Sequence, residues 1–260
     1  MKIPLYVIDA FTEKLFSGNP AAVCPLPEWL NDDILQTIAG ENNLSETAFF
    51  IRESNIYKLR WFTPKVEVSL CGHATLASAY VLFHHFGHKE SEIVFETKSG
   101  QLKVQRDANL LMMDFPASNP ISIDAPEQLV HALGAKAIEV LQSTGTYLAV
   151  YESESDILSI TPDFSLTEKL DMPYVIVTAK GSSSDFVSRF FAPQVGISED
   201  PVTGSAHCTL IPYWAKKLNK TKLYARQLSK RQGQLYCEYL VDRVKIGGKA
   251  VTYAVGEISI

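Results

Sequence analysis

The sequence has no C-x-x-C pair: its four cysteines stand apart at 24, 71, 208 and 237. Neither a zinc ribbon nor a dithiol redox motif is supported, and no metal site is expected. Positive charge is not in excess either, with 24 basic against 29 acidic residues and a formal charge of −5. Neutralising a nucleic-acid backbone needs a basic face, so nucleic acid is excluded as a main partner. Long apolar runs are missing: the longest weakly polar run, Ala74 to Phe83, is about half of a membrane span. MKIPLYVIDAF reaches Asp9 before a signal-peptide core could form, and no A-x-A cleavage pattern follows. A cytoplasmic protein without a membrane partner is the expectation. GNPAAVC (18–24) offers no G-x-G-x-x-G or G-K-[ST], so neither a dinucleotide nor a triphosphate is indicated.

What remains is an ordinary globular composition: 260 residues, 46% apolar and 20% charged. A chain of this size buries roughly three-quarters of its unfolded surface and needs no disulfide or metal for stability. IPLYVIDAF, TAFFIRE, YKLRWFT, EIVFETK, QLKVQRD and LLMMDF are rich in β-branched or aromatic residues bounded by turn residues, which predicts strands. Trp29 to Ala39 reads as a short helix entered through Pro27. A stronger helix, from about His73 to Phe86, is apolar on nearly all sides and stops at Gly87, so it belongs inside a curved sheet. FPASNPISIDAP (115–126) reads as a linker.

Beyond it the same grammar recurs. PYVIVTAKG and FVSRFFAP read as strands, Ser205 to Leu218 as a helix, and the tail as further strands. RWFTPKVEV from Arg60 aligns with RFFAPQVGI from Arg189, and Gly72-His73-Ala74 with Gly204-Ser205-Ala206. Strand, loop, G-x-A and buried helix thus occur twice in one order. The expected fold class is α+β: two pseudo-symmetric domains, each a curved, mostly antiparallel sheet around a central helix. They cover residues 1–117 and 118–260, with the last strand free to return to the first half.

Each half places a glycine turn at the start of its central helix. First-turn N–H groups lack intrahelical partners and the helix dipole adds positive charge, so Gly72 and Gly204 mark places where a small carboxylate can bind. The same G-x-A also lets a helix pack closely on a sheet. Glu46, in NNLSETAFF, stands at a strand mouth where partial desolvation would suit a carboxylate to proton transfer; from the residues alone, a solvated strand-end acid is the simpler reading. His73 can bond a substrate, share a proton with Asp200, or bond nearby backbone. In GISEDPVTGSAH, Pro201 holds Asp200 extended, and Ser205 can offer its hydroxyl as a helix cap or to a ligand.

Other candidates read as structural. Cys71 and His73 suggest a thiol–imidazole pair, but alternate residues across a turn rarely reach each other, so Cys71 reads as a small buried side chain. His84, His85 and His88 read as helix-end residues favourable to the dipole rather than metal ligands. Arg60 and Arg189, at matching repeat positions, read as structural ion pairs.

Taken together, GNPAAVC, NLSETAFF, RWFTP with EVSLCGHATLA, and FFAP with EDPVTGSAHCTLIPYW resemble the PhzF-like phenazine-biosynthesis family, in that family's order from residue 18 to 214. The resemblance implies a diaminopimelate epimerase-like fold with the site between its halves, a homodimer, and no cofactor. It implies an isomerase acting on a small carboxylate substrate, similar to trans-2,3-dihydro-3-hydroxyanthranilate isomerase. There a glutamate takes a proton from one carbon and returns it to another. That glutamate falls on Glu46, the family histidine on His73, and the aspartate and serine of D-P-x-T-G-S on Asp200 and Ser205. Gly72 and Gly204, with their neighbouring amides, would receive the substrate carboxylate. Two-cysteine epimerases of the same fold need a thiol in each half, and EDPVTGS has none, which favours a single-carboxylate shuttle. A cofactor-independent epimerase of an amino-acid-like substrate and a non-catalytic small-anion binder remain as alternatives.

Overall fold

Period-two alternation dominates the chain, and the computed structural model, which describes residues 1–260, is correspondingly rich in strands. In chain order the first elements are β1 (Lys2–Ala10), β2 (Asn19–Leu26), α1 (Asp32–Asn42), β3 (Glu46–Glu53), β4 (Ile56–Phe62), β5 (Glu67–Val68), α2 (Gly72–His84), β6 (Glu92–Thr97), β7 (Gly100–Asp107) and β8 (Leu110–Pro116). Then come β9 (Ile121–Ile123), α3 (Glu127–Leu133), β10 (Glu139–Ser143), β11 (Thr146–Val150), α4 (Glu154–Ser159), α5 (Phe164–Thr167), β12 (Tyr174–Lys180) and β13 (Phe186–Phe191). Last are α6 (Gly204–Leu218), β14 (Lys222–Gln227), β15 (Gly233–Tyr239), β16 (Arg243–Gly248) and β17 (Ala250–Ser259). The class is α+β. No helix is long and apolar enough to cross a membrane.

The chain divides into two units: Met1–Asp114 with Gly247–Ile260, and Phe115–Ile246. In the first, β17 pairs antiparallel with β1 along its length. From β1 onward the pairings alternate: β1 with β2 antiparallel, β2 with β3 parallel, β3 with β4 antiparallel, β4 with β6 parallel, β6 with β7 antiparallel. The second unit repeats the series from β10: antiparallel to β11, then β11 with β12 parallel, β12 with β13 antiparallel, β13 with β14 parallel, β14 with β15 antiparallel. Parallel neighbours cannot be joined by a hairpin and need a crossover. Helices α1 and α2 supply the two crossovers in one unit; α4 with α5, and then α6, supply them in the other.

Strand parity decides what faces the central helix of the first unit. Cys24 and Leu26 of β2 and Phe49 of β3 pack with Leu35, Ile38 and Ala39 of α1. Successive strand side chains alternate faces, so Asn19, Ala21 and Val23 of β2 and Glu46, Ala48 and Phe50 of β3 point the other way. That opposite face receives α2, which packs against β1, β2, β3 and β17. Every residue from His73 to Phe83 except Tyr80 is buried, as an apolar helix wrapped by a sheet requires.

Helix α1 starts at Asp32 rather than near Trp29, because Trp29 and Leu30 pack on the α1 core from outside the helix. Within α6, Pro212 has no N–H to give the carbonyl of Cys208, four residues back. Ser118 N–H donates to that carbonyl instead, at 2.9 Å. The proline therefore costs the helix no unsatisfied acceptor.

The repeat reaches single side chains. Arg60 forks onto Glu67 at 2.8 and 2.9 Å and lies over the Phe62 ring; Arg189 forks onto Glu199 at 2.7 and 3.0 Å and lies over Phe191. Arg189 also donates to the carbonyls of Ile157 and Ile160 at the end of α4. Arg189→Met should lower stability in chemical denaturation by about 2–3 kcal/mol, because it strips charged hydrogen bonds from a half-buried carboxylate and two carbonyls. A change below about 0.5 kcal/mol, the size of an ordinary surface substitution, would contradict this role.

Candidate active site

In the first unit, β3 opens on Glu46 and α2 on Gly72-His73, and their side chains meet. His73 Nε2 stands 3.0 Å from Glu46 Oε2. Both atoms are buried, and neither has a hydrogen-bond partner besides this approach. At the other ring nitrogen, Nδ1, the Asn19 amide is 3.2 Å away and Cys71 Sγ 3.5 Å. Ser45 Oγ lies 3.3 Å from Asn19 Oδ1. With the amide nitrogen toward the ring, Nδ1 accepts and the ring proton sits on Nε2. With the amide turned over, Nδ1–H donates to the amide oxygen and the Ser45 hydroxyl accepts, which suits a doubly protonated ring. In both arrangements a proton on Nε2 faces Glu46.

Burial opposes a charged imidazole, but Cys71 and Glu46 outweigh it, and His73 is held well above its ordinary 6.5. Burial first, and then the Glu46 charge, push the Cys71 thiol up to about 11. A thiol so raised is neutral at pH 7, so the carboxylate is the charge that favours the imidazolium. Cys71 and His73 do meet, contrary to the expectation for alternate residues: extended Cys71, at the N-cap, turns its sulfur toward the first helical turn (φ −149°). The other cluster of histidines is dispersed. His84 stacks on Tyr80, His85 contacts the Thr252 hydroxyl at 2.9 Å, and His88 contacts the Glu92 carbonyl at 3.2 Å.

In the second unit, hydrogen bonds among Asp200, Thr203 and Gln227 hold the loop before α6. Thr203 Oγ1 donates to Asp200 Oδ2, and Thr203 N–H donates to Gln227 Oε1 at 2.9 Å. Gln227 Nε2 donates to the Asp200 carbonyl at 2.8 Å and to Thr203 Oγ1 at 3.1 Å. Asp200, Thr203 and Gln227 are all buried. Thr203, not Ser205, occupies the N-cap position of α6; Gly204 and Ser205 open the helix, and the Ser205 side chain is exposed. His207 Nδ1–H donates to the Thr203 carbonyl at 2.8 Å, and burial pushes its pKa down to about 4. Neither Cys71 nor Thr203 caps its helix with a side chain, so the first-turn amides of α2 and α6 have no such acceptor.

A model of the family described as phenazine biosynthesis-like protein matches residues 8–256. The chain belongs to that family. An uncharacterized isomerase of Pseudomonas aeruginosa is 49% identical over 260 residues, covering both chains fully. The crystal structure of a PhzF-family phenazine biosynthesis protein from Enterococcus faecalis superposes with a TM-score of 0.98 at 48% identity, again over all of both chains. A hydroxyproline epimerase from Agrobacterium vitis shares the fold alone, with a TM-score of 0.61 at 11% identity over 100% of this chain and 93% of that one.

Two neighbours of the candidate residues escaped the sequence reading. Asn19 follows Gly18, whose φ is +69° and whose added Cβ would stand 2.2 Å from the Ala10 carbonyl oxygen. Only glycine fits there, and the turn delivers Asn19 to the α2 face. Gln227 did carry a signal: in KLYARQ it holds the inward parity of Leu223 and Ala225, so a polar residue stands at a core position.

Two outcomes follow for this unit. Gln227→Met leaves the Thr203 N–H and the Asp200 carbonyl without partners, and should lower the unfolding free energy by about 1–3 kcal/mol; an unchanged denaturation midpoint would contradict the clamp. His207 is neutral in the folded chain down to about pH 4, while the unfolded ring protonates below its ordinary 6.5. Protons therefore favour the unfolded chain across that window, and stability should fall as pH drops from 6.5 toward 4, by on the order of 3 kcal/mol in full. His207→Gln should flatten that part of the pH–stability curve; an identical slope would contradict it.

Proposed function

We propose that the chain is a cofactor-independent isomerase that moves a proton within a small carboxylate substrate, with Glu46 as the acid–base. One observation carries the reading: a buried carboxylate at a strand mouth whose oxygen has no polar contact besides the imidazole Nε2 at 3.0 Å. Glu46 takes an acidic C–H proton and redelivers it on the same face, while His73 orients the carboxylate and the substrate's polar groups. A positioned acid–base of this kind typically contributes about 10²–10⁴-fold. The uncapped amides after Cys71 and Thr203 suit a substrate carboxylate, which helix starts bind without a cationic side chain. Asp200, Gly204 and Ser205 carry the family motif, and we assign them to substrate polar groups on that basis.

The P. aeruginosa relative is named an isomerase, which supports the reaction class and leaves the substrate open. A second reading, an epimerase, is favoured by the fold shared with the hydroxyproline epimerase. Thr203 stands where a second thiol would be needed, which favours the single-carboxylate shuttle. We also propose a cytoplasmic homodimer. Exposed Phe16 and Tyr253, in ring contact, and exposed Val255 supply apolar surface for such an association.

Proton NMR in D₂O with dihydrohydroxyanthranilate and a panel of amino and cyclic carboxylates tests the reading. Wild-type chain should form an isomer or exchange a C–H proton, and Glu46→Gln should abolish this while leaving ligand binding nearly intact. Ser205→Ala should weaken binding more mildly. Turnover retained in Glu46→Gln would reject the assignment, and C–H exchange without double-bond migration would select the epimerase.

A further inference from the structure

Three donor groups of different chemistry meet in the first unit. The Cys71 thiol, the His73 imidazole and the Glu46 carboxylate each bring one ligand atom within 4.8 Å of the others. Sγ stands 3.5 Å from Nδ1, and Oε2 stands 3.0 Å from Nε2. Bond lengths of about 2.0–2.3 Å around tetrahedral zinc set ligand–ligand separations of roughly 3.3–3.6 Å. These two spacings involve different ring nitrogens, and the set that shares one nitrogen is bounded at 4.8 Å, so an ion would draw the three groups closer together. The ring gives a different nitrogen to each neighbour, so an ion held by all three groups requires one of those two contacts to be exchanged.

Buried polar atoms are nearly always hydrogen-bonded. Here Nε2 and Oε2 are buried and have no polar contact beyond their own 3.0 Å approach, so an ion that takes both atoms displaces one contact only. The cluster is not sealed: Cys71 is 7% exposed, and the His73 and Glu46 side chains are 6% and 12% exposed. A thiolate and an imidazole select zinc or cobalt over magnesium or calcium, which prefer all-oxygen sites.

We propose that Cys71, His73 and Glu46 form a binding site for a borderline-soft divalent cation, zinc in the first instance, and that its occupancy switches the proton shuttle off. Binding releases the thiol proton, and any second imidazole proton, to solvent; the cation then bonds to thiolate sulfur, neutral imidazole nitrogen and carboxylate oxygen. With Glu46 bonded to the ion, no carboxylate remains to accept the substrate proton. The inhibitory half rests on the proposed role of Glu46, and the binding half does not.

Cobalt(II) is the probe, because a thiolate–cobalt bond absorbs in the near ultraviolet. Titrating the purified, reduced chain with cobalt should raise that band to saturation at one ion per chain, and zinc should bleach it. Cys71→Ser should remove the band, and Glu46→Gln should weaken cobalt binding roughly tenfold or more. No band in the wild-type chain, or an unchanged band in Cys71→Ser, would overturn the site. Zinc at a concentration that bleaches the band should also stop Glu46-dependent proton exchange. Exchange that persists with the site filled would overturn the switch. If no substrate exchanges at all, the function reading fails while the cobalt band still decides the site.

Discussion

A carboxylate and an imidazole cannot both be taken out of water cheaply unless each compensates the other. Glu46 and His73 stand in that relation, 3.0 Å apart and both buried. Removing one partner would leave the other without its compensating neighbour, the costly situation for a buried charge. The pair holds because two rigid elements present it: Glu46 is the first residue of β3, on the face that receives α2, and His73 is the second residue of α2. A site carried on a strand and a helix is more precise than one on loops. Beyond this approach neither Nε2 nor Oε2 has a polar partner.

The two units use one scaffold for different chemistry. Cys71 and Thr203 are corresponding N-cap residues, followed by Gly72-His73 and Gly204-Ser205. Thr75 Oγ1 donates to the Cys71 carbonyl at 2.6 Å, and His207 Nδ1–H donates to the Thr203 carbonyl at 2.8 Å, the same bond four residues back in each helix. On this shared frame one unit places a thiol, an imidazole and a carboxylate together. In the other, the Asp200 carboxylate accepts from the Thr203 hydroxyl and the Gln227 amide donates to the Asp200 carbonyl. Gln227 there holds both ends of the loop, through the Thr203 N–H and the Asp200 carbonyl.

Most of the architecture was legible because it is written in long periodic elements. The apolar stretch from His73 predicts a wrapped helix, and the Arg60 and Arg189 alignment predicts matching ion pairs, both of which the structure contains. Residues 127–173 were not legible. Helices α3, α4 and α5 are only 7, 6 and 4 residues long, too short for a hydrophobic period to emerge. Glu46 was legible only through its motif, since a polar turn before a strand says nothing about the partner waiting across the sheet. Sequence spacing across a turn argues against a Cys71–His73 contact, yet the two meet because Cys71 is still extended where the helix begins.

Nitrogen-15 NMR of the histidine-labelled chain, titrated without substrate, tests the Glu46–His73 pair most directly. His73 should keep a proton on Nε2 through neutral pH, titrate well above 6.5, and drop toward that ordinary value in Glu46→Gln. A His73 ring that titrates at or below 6.5, with the same midpoint in Glu46→Gln, would contradict it.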